Sequence, residues 1–499
     1  MKHPLFRYLL AAAAGVLWGL CFGQAPLSLA SWIALAPLPL LMASPRPGRL
    51  GWVHGFAAWM TGLYWIVPTL ETYGGMSAPV GVALTGLLAA YLALFHAVFA
   101  WMGARLWRRW EWGRLLALPA LWVALEWLRT YLGGGFPWNL AGYAWVDVAG
   151  ALPLSAWIGV YGISFLVLLA SVAVAAAIER RRWEPAALGL LLPLFLLPLA
   201  GRWSLRQDET ALRETSGFGR PVRLLQPNIE NLVAFDPVAV ARNYRKVIDL
   251  SRQSCQPGAL VVWPESATWP FEYGRDPRLN EDLAALVDRG CTVLFNSGSP
   301  VGSSFYNSAF LLSVSGPAVR YDKRHLVPFG EYVPFRGVFG WMDKLARDAG
   351  DFRPGERPVL LPWGGEKIGM AICYEVVFPT EVADLVQHGA TILVTVTNDA
   401  WYGDTSAPWQ HFRAARFRAA ENRRPLLRAA ITGVSAYVGP DGSVRDQLGV
   451  NRQGIIRARV LGERRLTPFS RLPWLVPALS TVIAAASIGI YFAQRRSFS

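Results

Sequence analysis

The sequence predicts two structural classes in one chain: an α-helical membrane bundle of about eight transmembrane helices and a layered α/β domain. Three observations predict this. Apolar residues crowd the first two hundred positions and one stretch near the C-terminus. Between them, residues 220–455 alternate short β-rich runs with helical patterns. Basic residues gather at alternate ends of the apolar stretches. The composition agrees: 53% hydrophobic, only 16% charged and 23 Trp place the chain far from an ordinary soluble protein.

The apolar stretches cover residues 6–23, 25–43, 52–70, 78–104, 115–128, 152–178, 185–200 and 474–492. Most reach the length of about 18 residues that crosses a hydrocarbon core of about 30 Å. The fifth is shorter and the seventh carries prolines. Backbone polar groups in lipid must be satisfied within their own segment, so these stretches are read as helices. The first is read as a helix rather than a signal peptide, because it lacks a clear small-residue cleavage site and six similar stretches follow it.

With eight helices starting inside, the inside loops carry Lys2 and Arg7; Arg46 and Arg49; Arg105, Arg108, Arg109 and Arg114; Arg180, Arg181 and Arg182; and Arg495 and Arg496. The short outside loops carry Arg129 and little else. The positive-inside rule then puts both termini in the cytoplasm and residues 201–473 on the far side. The net charge of +14 follows mostly from those arginines. They sit at helix ends rather than on one soluble face, which sets aside a nucleic-acid partner.

In the α/β region, residues 222–226, 259–263, 292–296, 308–314, 368–373, 391–397, 427–431 and 436–438 read as strands. Residues 243–251, 280–288, 380–388 and 410–422 read as helices. Gly439-Pro440-Asp441-Gly442 is turn chemistry. Several strand ends carry polar residues: Gln226, Glu265, Asn296, Cys373 and Asn398-Asp399. Ligands in α/β sheets bind beyond the carboxyl ends of strands, so a pocket shared by Glu265, Cys373 and Asn398 is expected, although spacing alone does not prove it.

Cys373 closes the run Lys367-Ile368-Gly369-Met370-Ala371-Ile372. Glu265 follows a second run in Trp263-Pro264-Glu265-Ser266, and Lys323 lies in Tyr321-Asp322-Lys323-Arg324. A thiol, a carboxylate and an ammonium at strand ends are the parts of an activated cysteine nucleophile. The ammonium favours the thiolate and steadies an oxyanion. The carboxylate takes the thiol proton and returns it to the leaving oxygen. The bland reading of a lone cysteine is a small buried hydrophobe. Of the other cysteines, Cys21 lies in the first apolar stretch. A Cys255–Cys291 disulfide is allowed on an oxidising side, but spacing does not establish it. No Cys-x-x-Cys and no histidine pair at ligand spacing occurs, so neither a metal nor another cofactor is expected. His325, His388 and His411 read as hydrogen-bonded structural residues. Glu126 reads equally as a functional intramembrane carboxylate or as a partner of Arg129.

The runs VVWPESA, YDKRHLVPFGEYVPF, GMAICYE and TNDAWYGDTSAPWQH resemble the carbon–nitrogen hydrolase (nitrilase) superfamily, which uses a Glu-Lys-Cys triad. With the flanking helices, the whole chain resembles the bacterial apolipoprotein N-acyltransferases. The resemblance implies a nitrilase-like αββα sandwich, with Cys373 as nucleophile, Glu265 as general base and Lys323 as third member. It implies supporting roles for Glu331, Tyr374 and Glu375. It matches Phe136, Trp138, Phe235 and Trp401 to substrate-binding positions. Phe235 stands where some relatives carry Trp, and Ile431-Thr432-Gly433 where some carry Asn before Gly.

The implied reaction is a ping-pong transfer of a phospholipid sn-1 acyl chain, phosphatidylethanolamine being the expected donor, through a Cys373 thioester. The acceptor is the α-amine of a diacylglyceryl-cysteine on an apolipoprotein. The implied setting is the bacterial inner membrane. Residues 1–200 supply seven helices, 201–219 a connector, 220–460 a periplasmic catalytic domain, and 461–499 the eighth helix and a cytoplasmic tail. The aromatic segments 329–341 and 400–409 are expected to form mobile arms at the lipid surface. Two other readings stand beside this one. A membrane-tethered amidase would share the triad, although seven helices exceed what a tether needs. A transporter or scaffold would need charges in its helices, which are scarce here.

Overall fold

The computed structural model describes residues 3–23, 27–28, 30–109, 113–181, 183–206, 219–229, 231, 235–332 and 352–496. The chain forms two compact units, one of residues Met1–Leu205 with Leu472–Ser499 and one of residues Arg206–Arg471.

In the helical unit the elements before the α/β unit are α1 (Pro4–Leu20), α2 (Ser31–Ala34), α3 (Pro37–Leu41), α4 (Pro47–Gly62), α5 (Ile66–Thr72), α6 (Ala78–Arg109), α7 (Arg114–Tyr131), α8 (Ala151–Arg180) and α9 (Glu184–Arg206). A last helix, Leu475–Arg496, follows the α/β unit. Among the described residues, four helices are long and apolar enough to cross a membrane: Ala78–Trp107, Arg114–Gly134, Ala151–Glu179 and Leu475–Gln494. Pro4–Leu20, Ser31–Leu41 and Gly189–Arg202 are apolar but shorter.

The reading of about eight spans is thus met by four helices of full length. Two of the predicted stretches break into pieces. Residues 25–43 divide between α2 and α3, because Pro37 opens α3 and has no N–H to continue a helix through it. Residues 52–70 divide between α4 and α5, where Leu63 leaves helical geometry at φ −117°. Glycines set the packing of α1, α4 and α6. A Cβ on Gly51 would lie 2.5 Å from His96 O, so only glycine lets these backbones approach.

α7 also anchors the turn that carries the predicted aromatic segment. Arg129 donates to the carbonyls of Phe136 (2.7 Å) and Trp138 (2.8 Å), and Glu126 accepts from the Ala141 N–H at 2.7 Å. Both side chains therefore staple the turn after α7.

The α/β unit holds two six-stranded sheets. One has the order β12-β1-β2-β3-β4-β5, the other β11-β10-β9-β8-β7-β6. The first comprises β1 (Arg220–Gln226), β2 (Leu260–Val262), β3 (Thr292–Val301), β4 (Ser304–Ser313), β5 (Gly316–Asp322) and β12 (Gly454–Val460). The second comprises β6 (Leu360–Trp363), β7 (Glu366–Ile372), β8 (Ile392–Thr397), β9 (Leu426–Ala430), β10 (Ser435–Val438) and β11 (Val444–Leu448). β1, β2 and β3 run parallel, as do β7, β8 and β9, so their carboxyl ends lie on one edge of each sheet.

The helices α10 (Pro237–Ser254) and α11 (Pro277–Asp288) pack on the first sheet. α12 (Pro379–Gln387) and α13 (Ala407–Asn422) pack on the second, while β1 meets β9 and β10 between the sheets. This is a nitrilase-like αββα sandwich.

α10 and α11 start earlier than the apolar periodicity suggests, and α12 starts within one residue of it. Each opens on a proline at its first position. Asp236 and Asp276 cap the first two, accepting from the N–H groups of Val238 and Leu279 at 2.9 Å. The short helix α14 (Pro468–Arg471) is tied to α13, since Thr467 Oγ1 donates to Glu421 O at 2.6 Å and Ser470 Oγ to Asn422 Oδ1 at 2.9 Å. Cys255 and Cys291 are disulfide-bonded, linking the end of α10 to the start of β3.

Candidate active site

Four strands deliver the site, each at its carboxyl end. β2 leads through Trp263-Pro264 to Glu265, and β5 hands directly to Lys323. β7 hands to Cys373, and β8 hands to Asn398 and Asp399. Glu265 and Lys323 thus come from one sheet and Cys373 from the other. All three are buried, Lys323 at 1% exposure and Cys373 at 8%.

The carboxylates are fixed by directed bonds. Glu265 accepts from the Asn398 N–H at 3.0 Å and from Asn307 Nδ2 at 3.0 Å. Asn307 donates its second amide proton to Glu331 at 2.8 Å, and its own oxygen accepts from Asn296 at 2.6 Å. Lys323 Nζ lies 2.9 Å from Glu331 and 3.6 Å from Glu265. Glu331 also accepts from the Val327 N–H at 2.8 Å.

Electrostatics follows from this arrangement. Burial opposes a charge on Lys323, but Glu331 and Glu265 outweigh it and hold the ammonium above its ordinary range. Burial and the Glu265 charge push the Cys373 thiol well up, and Lys323 pulls it only part of the way back. Lys323 is shared between two carboxylates, so its pull on the sulfur is only partial.

Cys373 itself sits at φ +52°, a left-handed conformation that costs a non-glycine residue on the order of 1 kcal/mol. It opens the 3-10 turn Cys373–Val377. Its carbonyl accepts from His411 Nε2 at 3.0 Å, and its sulfur lies 3.3 Å from Thr397 Oγ1.

The other predicted residues fall in different places. Glu375 accepts from the Tyr321 hydroxyl (2.8 Å) and from the N–H groups of Arg324 (2.6 Å), His325 (3.2 Å) and Ile372 (2.7 Å). It welds the loop after β5 to the turn that begins at Cys373, and burial pushes its carboxyl up to about 7. Tyr374 is buried edge-on against Phe378, with ring centroids 5.2 Å apart. Trp401 is 46% exposed in the turn Asp399–Tyr402. Phe235 is 65% exposed just ahead of α10. In the helical unit Trp138 is only 3% exposed, its ring against Trp65 at 5.6 Å, whereas Phe136 is half-buried beside Trp59. Of the two expected arms, 329–341 lies outside the described residues beyond Tyr332. Residues 400–409 form the end of that turn and the start of α13.

Two family models cover most of the chain: residues 14–173 match the apolipoprotein N-acyltransferase N-terminal domain, and residues 222–465 match carbon–nitrogen hydrolase. An apolipoprotein N-acyltransferase from Geobacter metallireducens is 38% identical over 482 residues, covering 92% of this chain and 90% of its own length. The chain belongs to the apolipoprotein N-acyltransferase family. A Vibrio cholerae apolipoprotein N-acyltransferase is 31% identical, with 100% of this chain and 99% of its own covered. Among solved structures, an amidase from Nesterenkonia sp. is similar at 23% identity and TM-score 0.39, over 51% of this chain and 93% of its own. As a member of this family the protein is an acyltransferase set in a membrane.

Sequence reasoning missed the groups that hold the site together. Asn307 lies inside β4, with no local pattern to single it out. His411 was read as structural and reaches Cys373 through its ring nitrogen. Behind it, Asp399 Oδ2 pairs with Arg428 Nη2 at 2.7 Å, and His411 Nδ1 is 3.1 Å from both Asp399 Oδ1 and Arg428 Nη2. Burial works against the Asp399 charge, yet Arg428 and His411 hold its carboxyl down at about 2. Burial and Arg428 lower His411, Asp399 and the Cys373 carbonyl act the other way, and the ring's Nε2 lies 3.0 Å from that carbonyl.

Two predictions arise here. Glu375→Gln presents an amide N–H to donors, whichever way the amide is turned. We expect a loss of about 1–3 kcal/mol, read as a lowered melting temperature. An unchanged melting temperature would refute the role given to Glu375. The second concerns acid. Asp399 has a folded pKa below its unfolded value of 3.8. Its contribution is therefore present above that value and is lost as pH falls toward about 2. About 2 kcal/mol of unfolding free energy disappears across that window in the wild type. Asp399→Asn should lack that slope; equal slopes in denaturant titrations of the two proteins would contradict it.

Proposed function

We propose that this chain moves the sn-1 acyl chain of a phospholipid, through a thioester on Cys373, to the α-amine of the diacylglyceryl-cysteine that begins an apolipoprotein. The observation that carries this reading is the convergence of Glu265, Lys323 and Cys373 from two sheets, with Asn307 and Glu331 bonded to the same set.

In the first half-reaction Glu265 accepts the thiol proton as the sulfur attacks the ester carbonyl. The C–S bond forms, the C–O bond breaks, and Glu265 returns the proton to the departing lysophospholipid oxygen. The Lys323 ammonium faces the negative charge that develops on the carbonyl oxygen. In the second half-reaction the amine nitrogen bonds to the thioester carbonyl carbon, the C–S bond breaks with its electron pair on sulfur, and the amine proton passes to Glu265 and from there to the sulfur, restoring the thiol. A thioester is reactive toward amines and an amide is stable, so this step runs downhill. Because lysophospholipid leaves before the amine acts, kinetics are ping-pong.

The helical unit has a reason in this scheme. Both substrates are held in the bilayer by acyl chains, each buried methylene contributing about 0.8 kcal/mol. Chemistry at the membrane surface avoids drawing a chain into water. The proposed setting is a bacterial inner membrane with the catalytic domain in the periplasm, both termini in the cytoplasm and phosphatidylethanolamine as donor. The arginines at alternate helix ends support the orientation, and the Cys255–Cys291 disulfide supports an oxidising compartment.

The test is intact mass spectrometry of protein purified with phospholipid. One acyl mass is expected, located on Cys373 and discharged onto a diacylglyceryl peptide. Discharge as free fatty acid with the peptide unmodified would instead make the protein a hydrolase.

A further inference from the structure

The hydroxyl of Thr397 stands between two acceptors. It lies 2.7 Å from Asp399 Oδ1 and 3.3 Å from Cys373 Sγ, and all three groups are buried. A hydroxyl has one proton and can serve only one of them at a time. Asp399 is itself fixed from behind by Arg428, whose Nε is held by Val434 O at 3.0 Å.

We propose that Thr397 is a two-position donor: it bonds Asp399 while the sulfur is a thiol and turns to bond the sulfur whenever Cys373 becomes an anion. This rests on Cys373 being the nucleophile. A thiol sulfur is a weak acceptor, so in the resting protein the proton goes to the carboxylate and the S–H is free to donate to Thr397 Oγ1. Once the S–H proton has passed to Glu265, the sulfur carries full charge in a buried site. Rotation about one C–O bond then brings the hydroxyl proton onto it, with no heavy atom moved. Asp399 loses this bond but keeps Arg428 at 2.7 Å, so its charge is not stranded.

The donor acts again in the second half-reaction. The amine nitrogen bonds to the carbonyl carbon, the C–S bond breaks, its electron pair returns to sulfur, and the amine proton goes to Glu265. Thr397 then receives the leaving thiolate. The other charged or titratable groups facing that sulfur are Glu265 after β2, Lys323 after β5, and Asp399 and Tyr402 after β8. Of these only Lys323 favours the anion, and it is already shared with two carboxylates. Asp399 and Arg428 are positioning residues in this scheme, acting through Thr397.

The experiment follows alkylation of Cys373 by iodoacetamide in the full-length protein, from about pH 6 to about pH 10, with the label located by peptide mass spectrometry. Thr397→Val should slow alkylation about tenfold at each pH across that range, while Thr397→Ser stays near wild type. Should the valine variant not fold, Thr397→Ala removes the same hydroxyl without added bulk and is read against the serine variant. A folded Val or Ala variant with the wild-type profile overturns the proposal. So does a serine variant that shifts as far as valine. This readout does not depend on lipid. If wild-type Cys373 alkylates normally but carries no acyl mass, the proposed function fails while the hydroxyl's role stands.

Discussion

Cys373→Ala lowers kcat/KM for acyl transfer by about 10⁵-fold or more, with the fold retained. Of the hydroxyls near the sulfur position, Thr397 is bonded to Asp399 rather than activated by a base, and the Tyr402 phenol is held well above its ordinary range by burial. Neither Glu331 nor Asp399 can substitute, since each is held in an ion pair. The structural cost is small. Alanine removes one buried sulfur, a loss of about 1 kcal/mol, and it meets the φ of +52° with no more strain than cysteine does. Single-turnover transfer from labelled phospholipid, with a melting curve beside it, measures both halves. Turnover within tenfold of wild type in the alanine variant would place the nucleophile elsewhere.

Lys323→Met has the next largest effect, and it acts on stability and rate together. The wild-type ammonium lies between Glu331 at 2.9 Å and Glu265 at 3.6 Å, at 1% exposure. Methionine fills similar space and leaves two buried carboxylates facing each other, bridged only by the Asn307 amide. Breaking a buried pair in this way costs about 3–5 kcal/mol. Acylation should also slow by about 10²–10³-fold, because no cation faces the developing oxyanion. The double variant Lys323→Met, Glu331→Gln separates the two effects. It should regain only part of the stability, because removing one stranded charge is partly offset by an amide N–H facing the Asn307 or Val327 donor, and none of the rate. A single variant as stable as wild type in denaturant titration would defeat the argument.

The motifs and central strands were legible because their signals are local. Glu265, Lys323 and Cys373 each follow a strand, and ending a β-run on a polar residue marks the carboxyl edge where ligands bind. The strands the sequence reading missed are β5, β6, β11 and β12. All four are the outermost strands of their sheets. An edge strand is half-solvated and can carry charge that prevents further pairing, as in Val444-Arg445-Asp446-Gln447-Leu448, whereas β6 is apolar but only four residues long and carries Pro362. Helix starts at Pro237 and Pro277 were missed for a related reason. The periodicity begins about a turn later than the cap and proline that nucleate the helix.

Hydropathy identified the apolar stretches but not which of them form single helices of spanning length. Prolines and local backbone geometry inside the packed unit divided residues 25–43 and 52–70.

By itself the sequence determined the two-part architecture, the family and the three chemical groups proposed to carry the reaction, because composition, periodicity and strand-end chemistry are properties of neighbouring residues. Only the tertiary structure decided the electrostatic surroundings of Cys373 and the network that fixes them. Asn307 with Glu331, and Thr397 with Asp399, His411 and Arg428, come from separate strands and helices. A buried group's protonation depends on every charge brought within a few ångströms by the fold, whatever the distance along the chain.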